Sequence, residues 1–364
     1  MILTIAGDTV PKPENMDLFI EGNAQKLYGD LPSKIADSDY VIVNLECALT
    51  NEEAVIKKYG PGLKADPLAV NGLLALGVTH VCTANNHIYD FGHKGLVDTW
   101  ETLDQAGIVQ VGTGKDLAEA RKILYLEKND VKAAIVNVCE HEFSYAAEHQ
   151  EGANPYDPYD TMDDIREAKQ NADHVIVVYH GGKEHCRYPS PRLRKLCLAM
   201  VNAGASTVLC QHSHCIGCVE DYCGAHIVYG QGNFHFTHGY DSEAWNTGMV
   251  IKLTLGADSC KIDFIPTVIE DALLRPATEE EGARLLSEMV ERSRSLATNE
   301  WLEGFRQYVD ENGGHYRKVA AEIDFENEES LRRFAHYLDC EAHHDIYCEI
   351  FRTWHMDLCE SKKK

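Results

Sequence analysis

A layered α/β fold is predicted by three features of the sequence. Short runs rich in Val, Ile and Thr alternate with amphipathic stretches through the first three quarters of the chain. Those runs are bounded by glycine or polar residues, as strands are. Five of them end directly in a side chain that can ligate a metal.

The strand candidates are 2–6, 40–45, 80–84, 133–139, 174–179, 206–211, 225–229, 248–255 and 261–268. Helical patterns fall between them at 66–76, 94–106 and 190–203. In the last of these Leu193, Leu196, Cys197, Met200 and Val201 recur at helical spacing. From Thr278 onward strand signals stop, and 279–296, 300–311, 328–338 and 344–358 read as helices rich in Glu and Arg. Two regions follow, a domain over 1–272 and a helical extension or subdomain over 273–364, closing on a solvated Lys362-Lys363-Lys364 tail.

The chain has 364 residues and a formal charge of 34 − 58 = −24. Such a surface repels nucleic-acid phosphates and anionic membranes, so neither is an expected partner. It does not exclude an anionic substrate, because a bound cation reverses the field locally. Met1 to Asp8 is apolar but too short, and lacks the basic flank, for a secretory signal. No apolar run approaches the roughly 20 residues that span a bilayer, and a cytoplasmic location without membrane insertion is expected. The thirteen cysteines are scattered, several inside apolar strands, as reduced thiols used for packing would be.

The chemistry collects at strand ends. Run 2–6 leads into Gly7-Asp8, 40–45 into Glu46, 80–84 into Asn85-Asn86-His87, 174–179 into His180-Gly181-Gly182, and 206–211 into His212-Ser213-His214. In open α/β sheets the carboxyl ends of strands line the ligand crevice, so these residues converge. Taken singly, Gly-Asp after a strand is a turn and Asn-Asn-His is loop chemistry. A carboxylate after an apolar strand, as at Glu46, must be paired or bound. Two carboxylates, three imidazoles and an amide oxygen suit one or two divalent ions of the Mn, Zn or Fe kind better than Ca²⁺.

With these motifs assembled, the chain resembles the CapA family, named for a protein of poly-γ-glutamate capsule biosynthesis, itself similar to the calcineurin-like metallophosphatases. The matching pieces are Ala6-Gly7-Asp8, Val43-Asn44-Leu45-Glu46, the run from Ala84 to Gly92, His180-Gly181-Gly182-Lys183-Glu184, Gly204-Ala205, His212-Ser213-His214 and the run from Tyr229 to Phe234. They cover about residues 1–270. The resemblance implies a four-layer α/β/β/α sandwich of the metallophosphatase type, here with a C-terminal helical extension. It implies that Asp8 binds one metal with His214, that Glu46 bridges, and that Asn86, His180 and His212 complete a second metal. It makes His87 the proton donor or transition-state stabiliser, with Asp90 orienting it. Glu184 is a further candidate near the site, and Asn233, which lies just after a strand in the Gly230-Gln231-Gly232-Asn233 turn, is a candidate substrate contact. One departure stands out: the phosphatases carry a His two residues after the first Asp, and here that residue is Val10. The first site is a ligand short, which puts simple phosphoester cleavage in doubt.

Other signals read as structural. Cys215-Ile216-Gly217-Cys218 has no second Cys-x-x-Cys to complete a zinc ribbon. Gly112-Thr113-Gly114 and Gly230-Gln231-Gly232 are not phosphate-binding fingerprints. His336, Cys340, His343 and His344 share helical spacing, and read as surface or half-buried residues. Trp301, Phe305 and Tyr308 read as a helix core face. The expected function is a metal-dependent hydrolase in which a metal-activated water attacks an amide, γ-glutamyl-type or phosphoester bond of a small-molecule or peptide substrate. The alternatives are a metal-dependent peptide isomerase, in which His87 shuttles a Cα proton, and a non-catalytic metal-binding component of poly-γ-glutamate or capsule synthesis.

Overall fold

Two sheets form the centre of the structure, a computed structural model that describes residues 1–237 and 242–361, with side chains through Arg352. The larger sheet has eight strands. Seven lie in the order Leu273–Pro276, Cys260–Glu270, Thr247–Leu255, Ile2–Val10, Tyr40–Leu45, His80–Cys82 and Val109–Val111. The eighth, Asn233–Phe236, runs parallel to the end of Ile2–Val10. The smaller sheet has six, in the order Val219–Tyr222, Ala225–Val228, Thr207–Gln211, His174–His180, Val131–Cys139 and Leu124–Lys128. Strands from Ile2–Val10 to Val109–Val111 are mutually parallel, as are Val131–Cys139, His174–His180, Thr207–Gln211 and Ala225–Val228. Each set therefore presents its carboxyl ends at one edge.

Period-two alternation sorts the side chains into three layers of core. Leu3, Ile5 and Ile42 meet Ile135, Ile176, Val178 and Leu209 between the sheets. Val41, Val43 and Val81 turn the other way, against Phe19, Leu27, Leu31 and Leu73 of helices on the outer face. Val136, Val175 and Val177 turn outward against Ile165, Leu193, Leu196 and Met200. The architecture is thus helix, sheet, sheet, helix, the four-layer sandwich expected. Helix Pro191–Ala203 starts where sequence rules place it, with Ser190 accepting from the Leu193 amide and Pro191 in the first turn.

The C-terminal part is helical, with Glu279–Arg294, Glu300–Ala321, Glu328–Asp339 and Glu341–Ser361. Strand Leu273–Pro276 still pairs within the large sheet, so the sheet continues past residue 272. The second helix runs ten residues beyond its expected end. Gly313-Gly314 is a poor helix interior on propensity, but Val309, Tyr316 and Val319 around it are packed in a separate core with Ile346, Tyr347 and Ile350. A Cβ at Gly313 would stand 3.2 Å from Ile350 Cδ1, so the small residue allows that close helix contact. Trp301 and Phe305 are core residues, as their spacing predicts. Among the described residues no helix is long and apolar enough to cross a membrane. The Lys362-Lys363-Lys364 tail lies outside the described residues.

Candidate metal centre

Asp8 reaches the centre through an irregularity in its strand. Ala6 pairs with Val43 and Asp8 with Asn44, so Gly7 is skipped in the register. Ala6 faces the outer helices; the bulge turns Asp8 over to the face between the sheets. There its Oδ1 accepts from Asn44 Nδ2 at 2.7 Å and its Oδ2 from the His212 backbone N–H at 3.0 Å. Both sheets thereby fix one carboxylate. Gly7 permits this because a Cβ there would lie 2.4 Å from the Gly232 carbonyl oxygen. Val10, where the phosphatases have a His, is buried in the core on the outer-helix side.

The other strand ends converge on the same point. His180 sets Nδ1 at 3.1 Å from Asn44 Nδ2, and Nε2 at 3.0 Å from Asn86 Oδ1 and 3.4 Å from Glu46 Oε1. Asn86 is oriented by its Nδ2, which donates to Glu142 Oε2 at 2.6 Å and leaves Oδ1 facing His180. His214 Nδ1 stands 3.4 Å from Asp8 Oδ2. His212 and His214 both have left-handed backbones, φ 78° and 52°, the kind of strain that collects at functional sites. Donor atoms of Asp8, Glu46 and His180 lie within 4.8 Å of one another, and so do those of Glu46, His212 and His214. Glu46 belongs to both groups, as a bridging residue would. The grouping differs from the one implied by resemblance, since His180 falls beside Asp8 and His212 beside His214.

The two carboxylates sit in contrasting fields. Burial alone would raise Asp8, but the His214 hydrogen bond and the His180 and His214 charges win and hold it down to about 2. Burial and the Asp8 charge push Glu46 well above the usual carboxylate range. Both Glu46 oxygens are buried without a hydrogen-bond partner, and so is His212 Nδ1. An unpartnered buried carboxyl costs about 1–3 kcal/mol, so a residue kept this way wants a cation. Burial lowers His180 to about 4 and His212 to about 3, leaving both as neutral imidazoles with lone pairs to give. Burial opposes protonation of His214 too, but Asp8 and Glu46 raise it to about 9. The donor set therefore fits one or two divalent ions held by nitrogen and oxygen.

Beside this centre, His87 Nδ1 contacts Asp90 Oδ2 at 2.6 Å. Lys58, unremarkable in its sequence context, pairs with Asp90 and comes within 3.2 Å of His87 Nδ1. Burial first, then the Lys58 charge, lowers His87 to about 4 despite the Asp90 carboxylate. Glu184 forms an ion pair with Lys183 at 3.2 Å, and is held well below the usual range by that lysine and the nearby imidazoles, against burial. Asn233 is only 2% exposed; its Nδ2 donates to the Trp245 carbonyl and its Oδ1 faces His214 Nδ1 at 2.9 Å. Through that contact it orients His214.

Two further departures from expectation concern residues read as structural or not singled out. Cys340 and His343 are buried, not surface or half-buried, because the extension folds back over the site. Glu142 is absent from the expected set, although the rule of ligands at strand ends applies to it: Val131–Cys139 runs straight into Glu140-His141-Glu142. Cys215 and Cys218 are buried free thiols.

The model for the bacterial capsule synthesis protein PGA_cap matches residues 2–238, which include Asp8, Glu46, Asn86, His87, Asp90, Glu142, His180, His212 and His214. The chain belongs to this family. Capsule biosynthesis protein CapA of Bacillus anthracis is 27% identical over 76% of the chain and 70% of its own length. PGA biosynthesis protein CapA of Bacillus subtilis is 34% identical over 56% of the chain. A probable polyglutamine synthesis accessory protein of Mycobacterium tuberculosis is 31% identical over 54% of it. The chain spans about half the length of the latter two, 54% and 55%. Among solved structures, a hypothetical protein from Thermus thermophilus aligns at 18% identity with a TM-score of 0.49, covering 73% of this chain and 98% of that one. A 5'-nucleotidase from Candida albicans aligns at 10% identity and a TM-score of 0.41, covering 81% of this chain and 58% of that one.

Proposed function

We propose that this PGA_cap family member is a metal-dependent hydrolase acting on an amide or γ-glutamyl-type bond, or on a phosphoester. The observation that carries the reading is Glu46, a fully buried carboxyl with both oxygens unpartnered, ringed by Asp8, His180, His212 and His214. Asp8, Glu46, Asn86, His180, His212 and His214 are the residues that would hold one or two divalent ions. A divalent ion supplies Lewis-acid polarisation of a substrate oxygen and activation of water.

The protein's own contribution is geometry and proton handling. Asn44, Asn233 and Glu142 fix the orientation of Asp8, His214 and Asn86. His87, with Nδ1–H directed at Asp90, would carry its lone pair on Nε2 in the neutral form. It accepts a proton and passes it on. Asp90 and Lys58 position the ring. A cleft of about 630 Å³ is lined in part by Lys58, Phe143, Arg332 and His336, and would be the approach for a substrate. The amide-type substrate is favoured over the phosphoester by the family's association with poly-γ-glutamate and by Val10.

The neutral state of His87 also favours a second reading, isomerisation of a peptide carbon. There His87 would remove the Cα proton, and reprotonation from water on the opposite face would complete the inversion.

The test is a substrate panel with Mn²⁺- or Zn²⁺-loaded protein: nitrophenyl phosphates, γ-glutamyl peptides, and peptides in deuterated water. Hydrolysis that falls with His87→Ala supports the first reading, and deuterium incorporation at Cα without cleavage supports the second. No turnover on any of them, with metal bound, rejects the enzyme and leaves a metal-binding component of polymer synthesis.

A further inference from the structure

Glu142 faces two ways. Its Oε2 accepts from Asn86, and its Oε1 points to the C-terminal helices, where His336 Nε2 stands at 3.6 Å and His343 Nε2 at 3.8 Å. Donor atoms of Glu142, Cys340 and His343 lie within 4.8 Å of one another. The two imidazole rings are 4.6 Å apart, centre to centre. Glu142, Cys340 and His343 are buried, and His336, in the wall of the neighbouring cleft, keeps 8% of its side chain in solvent.

We propose that Glu142, Cys340 and His343, with His336, form a separate transition-metal site that fastens the helical extension to the family domain. The donor set is one thiolate, one carboxylate oxygen and two imidazole nitrogens. This mix selects a borderline-soft, four-coordinate ion such as Zn²⁺, and discriminates against Mg²⁺ and Ca²⁺. Ligand bonds of roughly 2.0–2.3 Å in a tetrahedron place neighbouring donors roughly 3.3–3.8 Å apart, the separation of Glu142 Oε1 from both imidazole nitrogens, 3.6 and 3.8 Å.

Two features of the surroundings point to a bound cation. His336 has a buried Nδ1 with no partner, and its Nε2 lies beyond hydrogen-bond reach of Glu142. A buried imidazole with nothing bonded is rare unless it serves a ligand. His343 engages Tyr316 through Nδ1 at 2.7 Å, which leaves Nε2 directed at Glu142. That is how a metal-binding histidine is oriented by its second nitrogen. Cys340 Sγ makes a weak contact with Glu140 Oε2 at 3.6 Å and is approached by the His343 backbone N–H. Lys183, the cation near this group, is neutralised by Glu184 at 3.2 Å. Glu142 belongs to the segment matched by the family model; His336, Cys340 and His343 lie beyond it. Three of the four donors are therefore a property of the chain's own extension, and the site adjoins the centre on which the proposed function rests, because Glu142 Oε2 holds Asn86 and stands 3.8 Å from His212 Nε2.

The test uses the full chain, stripped of metal and reloaded with Co²⁺. A thiolate-to-cobalt charge-transfer band in the near ultraviolet is expected, and it disappears in Cys340→Ser. Zn²⁺ content by mass spectrometry falls by a single equivalent in Cys340→Ser and in His343→Ala, while the ions held around Glu46 remain. His214→Ala has the opposite pattern: the thiolate band stays and the other metal falls. Absence of the band in protein shown by circular dichroism to be folded overturns the proposal. So does a band that survives Cys340→Ser. Failure of the Glu46 centre instead appears as His214→Ala leaving metal content unchanged.

Discussion

Asn44 hydrogen-bonds Asp8 at 2.7 Å because their strands pair with Gly7 left out. The carboxylate's place between the sheets depends on that one-residue bulge. Gly7→Ala would drive a Cβ to 2.4 Å from the Gly232 carbonyl, a backbone atom that cannot step aside cheaply. The expected cost is about 1–3 kcal/mol of stability, typical of overpacking. Metal content should fall more than stability accounts for, since Asp8 moves with the bulge. Chemical denaturation and metal analysis on the same preparation check both. An Ala variant with full metal content would show that Asp8 does not depend on the bulge.

His87 and Asp90 stand beside the proposed ligands and are not among them, so their loss should separate chemistry from binding. His87→Ala is expected to reduce kcat by roughly 10²–10⁴-fold, the usual worth of a positioned acid–base group. Asp90→Asn is expected to cost roughly 10–100-fold, because it loosens the ring's orientation and takes the counterion from buried Lys58. Metal content should be unchanged in both. A His87→Ala protein with full kcat on the substrate identified by the panel would remove His87 from the chemistry.

The layered fold was legible because Ile2–Val10, Tyr40–Leu45 and His174–His180 are buried on both faces and read as continuous apolar runs. The convergence of Glu46, Asn86, His180 and His212 was legible for the same reason: a carboxylate, amide or imidazole that ends such a run is itself carried into the interior, where it must find a partner. What remained hidden depends on contacts between distant segments. The bulge at Gly7 is a matter of pairing register, which composition does not reveal. Lys58 lies in an irregular stretch, and its meeting with Asp90 is set by loop folding. Cys340 and His343 carry ordinary helical spacing, and only the docking of the extension onto Glu142 buries them. Short strands such as Val109–Val111 and Leu124–Lys128, with exposed positions, gave too weak a pattern to register.

Away from the site, His226 supplies a pH-dependent term. Its Nε2 stands 3.2 Å from the Cys260 carbonyl and its Nδ1 2.7 Å from Asp221 Oδ1. Contacts with Cys260 first, then the Asp221 carboxylate, raise it to about 9 against partial burial. A raised histidine binds its proton more tightly when folded. Its stabilisation is complete below the unfolded value, about 6.5, and fades as pH climbs through about 9. The melting-temperature advantage of wild type over His226→Gln should be present at about pH 6 and vanish by about pH 10. Asp221 is exposed, so added salt should shrink it. A difference that stays flat across that range would mean His226 acts by packing alone.

The extension is also held by a buried charge cluster, and this gives a test of docking that needs no metal. Arg192 donates through Nη2 to Glu140 Oε1 at 2.8 Å and through Nε to Asp345 Oδ1 at 3.0 Å. Ser190, which caps the Pro191–Ala203 helix, also donates to Asp345. One arginine thus ties the end of strand Val131–Cys139 to helix Glu341–Ser361. Removing it leaves two screened carboxylates without their cation, and breaking such a pair costs about 3–5 kcal/mol. The lower end of that range applies here, since Arg192 keeps 28% of its side chain in solvent. Arg192→Met should therefore loosen the last helix before the sheets unfold, with early proteolysis between residues 321 and 341. Asp345→Asn should do less, because Glu140 keeps its arginine. Equal protease resistance in Arg192→Met and wild type would assign the docking to the apolar contacts of Phe305, Tyr316 and Ile346.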